Sequence, residues 1–133
     1  MTSRIATVTV DCHDAYALSE WWKPVLGYAD VPDDPNEPGH EECLIVDPDD
    51  PGHGRLLFIE VPDDELPAKR LHLDLEARSG TRDEEVERLL AHGAVQVDDQ
   101  RGCYGPGTGW VVLADPEGNL FCVVRSEAER ATG

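Results

Sequence analysis

The chain has 133 residues, of which 40% are hydrophobic and 29% are charged, and this is about the length of one self-sufficient globular domain. Eleven Lys and Arg residues against 28 Asp and Glu residues give a formal net charge of −17. Such a surface repels phosphate backbones and anionic lipid headgroups, so we expect neither nucleic-acid binding nor membrane binding.

The first residues lead straight into a strand-like segment without a signal-peptide core, and no apolar run is long enough to cross a bilayer. These features predict a cytoplasmic protein. The four cysteines show no CxxC spacing, and in a reducing compartment we expect all of them to be free thiols.

The first half of the chain predicts one helix among several strands. Residues 4–12 alternate between apolar and polar, as a half-buried strand does. Asp14 is a suitable N-cap for a helix that ends at Gly27, and Pro24 predicts a kink or a 3₁₀ turn near that end. Further strands are predicted near residues 28–31, 42–46 and 55–61.

The second half repeats this order. Residues 71–76 alternate strictly, and Thr81 with Glu84 forms a capping box before a helix that ends at Gly93. Strands follow near residues 94–97, 110–114 and 120–125, and residues 127–133 are expected to be a frayed tail. The Gly-rich segment 102–109 is either a flexible lid or a long hairpin connection with aromatic anchors.

Two motifs support an internal repeat. Asp-Pro pairs at positions 47 and 115 each follow a strand, and the strands that contain Thr7 and His72 begin the two halves. The sequence therefore predicts an α+β fold with two tandem βαβββ modules, at about 4–62 and 70–126, within one domain spanning 1–126. Each helix should cover one side of its strands, leaving the other side free.

The chain resembles the vicinal oxygen chelate superfamily, which includes glyoxalase I, bleomycin resistance proteins and extradiol dioxygenases, and within it the glyoxalase-like branch. The matching stretches are 8–12, 14–27, 71–75 and 110–122, in the expected order. The resemblance implies a curved mixed sheet around a cup-shaped cavity for a small molecule, often in a homodimer. It does not fix the chemistry, because one scaffold carries many activities.

The resemblance also implies a divalent metal held by His, Gln or Glu from the first and last strands of each module. The corresponding positions fall on Thr7, His72 and Cys122, and on Phe58 or, with a register shift of two, Glu60. Thr and Phe are unsuitable ligands, so we expect the usual site to be lost and no cofactor to be needed. A zinc site of His72, Glu60 and Cys122 is the alternative.

Alternation places six polar residues on the cavity side, and with two aromatic residues they form the predicted ligand-binding set: Thr7, Thr9, Asp11, Phe58, His72, Asp74, Trp110 and Cys122. His72 is the best catalytic candidate, or else a structural histidine hydrogen-bonded to Asp74 or Thr7. Cys122 is either a small buried residue or a thiolate paired with His72.

Three functions are compatible with this pattern. The favoured one is binding of a small molecule without the usual divalent metal. The second is a metal-dependent or His-based lyase, isomerase or dioxygenase, and the third is a non-catalytic dimeric interaction module that offers its acidic surface to a basic partner.

Overall fold

The computed structural model describes residue 2 and residues 4–62 and 73–132 of the chain. It contains two compact units, Met1–Pro67 and Ala68–Gly133. Each unit contains a four-stranded mixed sheet with a helix after the first strand. This confirms the predicted α+β fold built from two βαβββ modules.

The elements of the first unit are β1 (Thr7–Cys12), α1 (Ala15–Leu26), β2 (Ala29–Asp30), β3 (Glu42–Val46) and β4 (Arg55–Glu60). Its strands lie in the order β1-β4-β3-β2. The first strand runs parallel to the last, and the other neighbours are antiparallel. The last strand of the module thus lies at the centre of the sheet, directly beside the first.

The elements of the second unit are β5 (Leu73–Leu75), α2 (Arg82–Ala91), β6 (Val95–Asp99), β7 (Val111–Ala114), β8 (Leu120–Val123) and α3 (Glu127–Thr132). This unit has the same topology, with the strand order β5-β8-β7-β6 and one parallel pair, β5 with β8. None of its described helices, nor α1, is long and apolar enough to cross a bilayer.

Helix α1 begins and ends as its sequence predicts. The Asp14 carboxylate accepts a hydrogen bond of 3.0 Å from the backbone N–H of Ala17, and Gly27 ends the helix in the left-handed region at φ 71°. The predicted change to 3₁₀ geometry near Pro24 is not observed, because the helix remains α-helical through Leu26. A proline so close to the end removes one backbone hydrogen bond without interrupting the helix.

Each helix covers one face of its own sheet. In the first unit, Leu18 and Trp22 of α1 are buried together with Ile45, Leu56 and Phe58 of the strands. In the second unit, Val86 and Leu89 of α2 are fully buried, as are the strand residues Val111, Leu113, Phe121 and Val123. The apolar core of each unit therefore lies between its helix and its sheet.

The expectation of a frayed tail after Ser126 is wrong. Residues Glu127–Thr132 form α3, and the Glu129 carboxylate accepts hydrogen bonds from the backbone N–H groups of Arg82 and Ser126, at 2.5 and 2.9 Å. The side chain of Glu129 thus caps the first turn of α2 as well as its own helix. A short polar helix carries no apolar stripe, so periodicity did not indicate it.

The Gly-rich segment is a hydrogen-bonded hairpin connection. Backbone hydrogen bonds close it from Gln100 to Trp110 and from Gly102 to Thr108, both at 2.8 Å. The buried guanidinium of Arg82 donates to the carbonyl oxygens of Thr108 and Gly109, at 2.7 and 3.1 Å. These contacts favour the hairpin connection over the lid.

We predict that Arg82→Met lowers the free energy of unfolding by about 2 kcal/mol, because two half-buried carbonyl groups lose a buried charged donor. Chemical denaturation followed by circular dichroism measures this loss. Arg101→Met is the matched control, since Arg101 forms surface ion pairs with Asp83 and Asp99 and should lose no more than about 1 kcal/mol. Equal losses in the two variants would contradict the assigned role of Arg82.

Candidate functional site

Among residues 4–62, no helix covers one of the two faces of the first sheet. Paired residues on neighbouring strands share a face, and Thr7, Thr9 and Asp11 pair with residues of β4. We call this surface the open face of the first sheet; it includes Thr7, Thr9, Asp11, Glu42, Leu44, Arg55, Leu57 and Ile59. The structure thus brings three of the predicted ligand-binding residues together.

A guanidinium group lies at one end of the open face. Arg55 pairs with Thr7, and its Nε donates a hydrogen bond of 3.1 Å to the threonine Oγ1. Both side chains are half-buried. Sequence reasoning missed Arg55, although its position two residues before Leu57 on an alternating strand places it on this face.

The prediction for Phe58 is wrong. Phe58 is fully buried, pairs with Val10 and Cys43, and therefore lies on the helix-covered face, opposite to Thr7 and Thr9. A register error of one residue moves a side chain to the other face of a sheet. Leu57, which pairs with Thr9, occupies the position that was assigned to Phe58.

Turn length explains this error. Thr9 pairs with Leu57, and Asp74 pairs with Cys122, so the counterpart of Cys122 in the first unit is Leu57. The turn between β3 and β4 covers residues 47–54, whereas the turn between β7 and β8 covers only residues 115–119. The lengths of the two turns differ by an odd number of residues. Counting the same number of residues from each Asp-Pro pair therefore assigns a residue of β4 to the wrong face of the sheet.

Glu60 does not lie on the open face either. It pairs with Cys12, on the side of the sheet that α1 covers. Glu60 lies two residues after Phe58 on β4 and therefore shares the face of Phe58 and Cys43. Burial raises the pKa of the Cys43 thiol, and the Glu60 carboxylate raises it further. The alternative zinc site, which needed Glu60 on the cavity side, is therefore not supported.

In the second unit, Asp74 and Cys122 lie side by side on the face opposite α2. Burial raises the pKa of the Cys122 thiol, and the charge of Asp74 and a hydrogen bond to its carboxylate add to this rise. The thiol is thus held neutral as a donor to Asp74. This is the reverse of the depressed pKa that a catalytic thiolate requires, so the described surroundings of Cys122 favour the small buried residue. The pairing of Cys122 with His72 stays a prediction.

Two predicted site residues remain. His72 lies outside the described residues. Trp110 is half-buried at the base of the Gly-rich hairpin, where its ring contacts that of Tyr104 with centroids 6.2 Å apart. Tyr104 itself is 79% exposed, so this aromatic pair lies at the surface of the second unit.

The described residues do not fit the divalent metal that the resemblance implies. The Thr7 oxygen already accepts a hydrogen bond from a cation, Leu57 has no ligating atom, and the Cys122 thiol is held neutral. Within residues 4–62 and 73–132, no three His, Cys, Asp or Glu side chains lie together as a metal-binding group.

Comparison with known protein families gives one match. Residues 7–124 match the model of the glyoxalase-like domain, which is nearly the whole chain. No curated protein matches the sequence.

Solved structures with the same fold include an enzyme of the glyoxalase/bleomycin resistance protein/dioxygenase family from Burkholderia phytofirmans, with 17% identity and a TM-score of 0.65 over 91% of this chain and 97% of that one. A superfamily member from Sphaerobacter thermophilus has 20% identity and a TM-score of 0.65, over 93% and 98%. A mutant of the fosfomycin resistance protein FosX from Listeria monocytogenes, complexed with Mn(II) and a dihydroxypropylphosphonic acid, has 14% identity and a TM-score of 0.64, over 98% and 95%.

The assignment of faces predicts unequal effects for two adjacent residues. Phe58→Ala should lower the free energy of unfolding by about 3–5 kcal/mol, because it leaves a cavity in the core. Leu57→Ala, its matched control on the open face, should lower it by less than about 2 kcal/mol, since Leu57 is only half-buried. Chemical denaturation of both variants checks this, and a larger loss for Leu57→Ala would reverse the assignment.

The Asp74–Cys122 contact predicts a pH dependence. Because the folded-state pKa of Cys122 is raised, its thiol stabilises the fold fully below the ordinary thiol pKa, and this contribution is lost as pH rises through the folded value. Asp74→Asn should lower the pKa of Cys122 and move the onset of its alkylation by iodoacetamide to lower pH. Peptide-resolved mass spectrometry measures this onset.

Asp98→Asn is the control for this experiment, since two strands, β8 and β7, separate Asp98 from Asp74, and the pKa of Cys122 is raised by burial and by Asp74. If both variants shift the alkylation profile equally, general surface charge controls Cys122 and the contact with Asp74 does not.

Proposed function

The chain belongs to the glyoxalase-like domain family, and from this membership we propose that it binds a small molecule without the divalent metal implied for its relatives. The observation that carries the proposal is the hydrogen bond from Arg55 to Thr7. Thr7 is the position that the resemblance assigns to the first metal ligand. In this chain its oxygen faces a fixed positive charge instead.

Electrostatics makes the two arrangements incompatible. A divalent ion bound to the Thr7 oxygen would lie roughly 4 Å from the guanidinium, where the repulsion is about 8 kcal/mol at an effective dielectric constant near 20. A threonine hydroxyl is too weak a ligand to offset such a repulsion. The positive charge that a metal would supply is therefore provided by the protein itself.

The similar structures support small-molecule binding as the general activity. FosX is complexed with Mn(II) and a dihydroxypropylphosphonic acid, so a protein with this fold holds both an ion and a small polar molecule. We propose that this chain binds a small polar molecule but holds no metal ion. Its open face combines hydroxyl, guanidinium and apolar side chains, which are the groups that orient small molecules in protein sites.

FosX also supports the alternative, a metal-dependent lyase, isomerase or dioxygenase, because it holds Mn(II) on the same fold. That function requires ligands that Thr7, Leu57 and Cys122 do not provide. A metal-free acid–base enzyme would depend on His72 and would lose its activity in His72→Ala. The two proposals therefore differ in a direct measurement of metal content.

We predict that the protein, purified without a metal-affinity tag, contains far less than one equivalent of nickel, zinc, manganese or iron per chain. Mass spectrometry of the digested protein gives the metal content, and FosX prepared in parallel with Mn(II) serves as the positive control. Adding each ion should also leave the melting temperature unchanged, since no site gains binding free energy. One tightly held equivalent would overturn the proposal.

A further inference from the structure

We propose that Arg55 is the anion-recognition residue of this protein and that its ligand is a small organic monoanion, with a carboxylate on the guanidinium and an apolar body over Leu57 and Leu44. The inference deepens the proposed function and rests on it. Arg55 carries the positive charge among the residues named as the open face, in a chain whose net charge is −17.

Arg55 differs from most other described cations in its surroundings. In a chain with a net charge of −17, five basic side chains form ion pairs with carboxylates: Lys23, Arg82, Arg88, Arg101 and Arg130. In the part of the chain that the structure describes, Arg55 has no carboxylate partner, and its side-chain contact is with a neutral hydroxyl. A half-buried guanidinium in acidic surroundings thus keeps its capacity for an anion.

The contact with Thr7 leaves the guanidinium suitably placed for a carboxylate. Only Nε is used, so the two terminal nitrogens retain their N–H groups for a bidentate contact. Because the threonine oxygen accepts from Arg55, its own proton is directed elsewhere and can be donated to the same anion. Thr7 therefore acts as a positioning residue that also adds a donor.

An apolar surface continues from this charged end. Leu57 lies two residues after Arg55 on the same face, about 7 Å along the strand, and Leu44 pairs with it on β3. Both leucine side chains are half-buried. This spacing suits a carboxylate joined to an apolar group about the size of one aromatic ring.

The single positive charge of Arg55 also determines how many negative charges the ligand should carry. A single guanidinium balances one carboxylate, whereas the second negative charge of a dianion would find no further cation among the residues of the open face, which already include Asp11. The open face should therefore prefer a monoanion to a dianion, and an acid to a neutral or cationic analogue of the same size.

Titration with phenylacetate, 2-phenylethanol, 2-phenylethylammonium and phenylphosphonate tests the proposal, with amide NMR shifts as the readout. Phenylacetate should bind with a dissociation constant of about 1 mM and shift residues of β1 and β4. The alcohol and the ammonium ion should bind at least about tenfold more weakly, because they lack the charge that Arg55 recognises. Phenylphosphonate, titrated at a pH above its second pKa so that it is a dianion, reports whether a second negative charge is tolerated. Binding as tight as that of phenylacetate at the same pH would overturn the preference for monoanions.

Variants identify the group responsible. Arg55→Met should weaken phenylacetate binding at least about tenfold, whereas Arg125→Met, which removes the same charge from the second unit, should leave it unchanged. Thr7→Val keeps the charge but removes both the positioning hydrogen bond and the hydroxyl donor, so it should weaken binding at least about threefold even if Arg55→Met fails to fold.

The outcomes separate this inference from the proposed function. If phenylacetate and 2-phenylethanol bind equally well, the protein still binds a small molecule, but Arg55 does not recognise the carboxylate. If phenylacetate binding is absent, or is unchanged in both Arg55→Met and Thr7→Val, the inference is overturned. A metal found in the purified protein would instead remove the proposed function on which it rests.

Discussion

The parallel pairing of the first and last strands of each module decides which side chains meet. It joins residues 48 positions apart, Thr7 with Arg55 in one unit and Asp74 with Cys122 in the other. Because side chains alternate along a strand, this pairing also assigns every residue of both strands either to the helix-covered face or to the open face. The contact between Arg55 and Thr7, the burial of Phe58 and the neutral state of Cys122 all follow from it.

Much of the fold could be predicted from the sequence because its signals are local. Asp14 and Gly27 mark the ends of α1, Thr81 and Glu84 begin α2, and alternation identifies the strands. The repeated order of these signals indicated the duplicated topology. Helix α3 was missed because the side-chain contacts of Glu129, which tie it to α2, involve residues far apart in sequence.

The candidate site was harder to predict because it depends on pairing between distant strands. Thr7, Thr9 and Asp11 were assigned to one face by alternation alone, and the structure places them there. Phe58 was misplaced because the sequence does not show how many residues a turn absorbs. Arg55 was overlooked for a related reason. Its contact with Thr7 depends on the pairing of β4 with β1, which the sequence does not show.

The unequal turns also affect how such a duplicated protein can change. The turn 47–54 joins β3 to β4, and the turn 115–119 joins the equivalent strands β7 and β8. The two strands that flank each turn are paired in the same antiparallel way. Insertions and deletions in these turns are therefore absorbed outside the sheet, while hydrogen bonding between the strands preserves the register. Each half can lengthen or shorten its turn independently, so that surface segments diverge while the side chains of the open face keep their places.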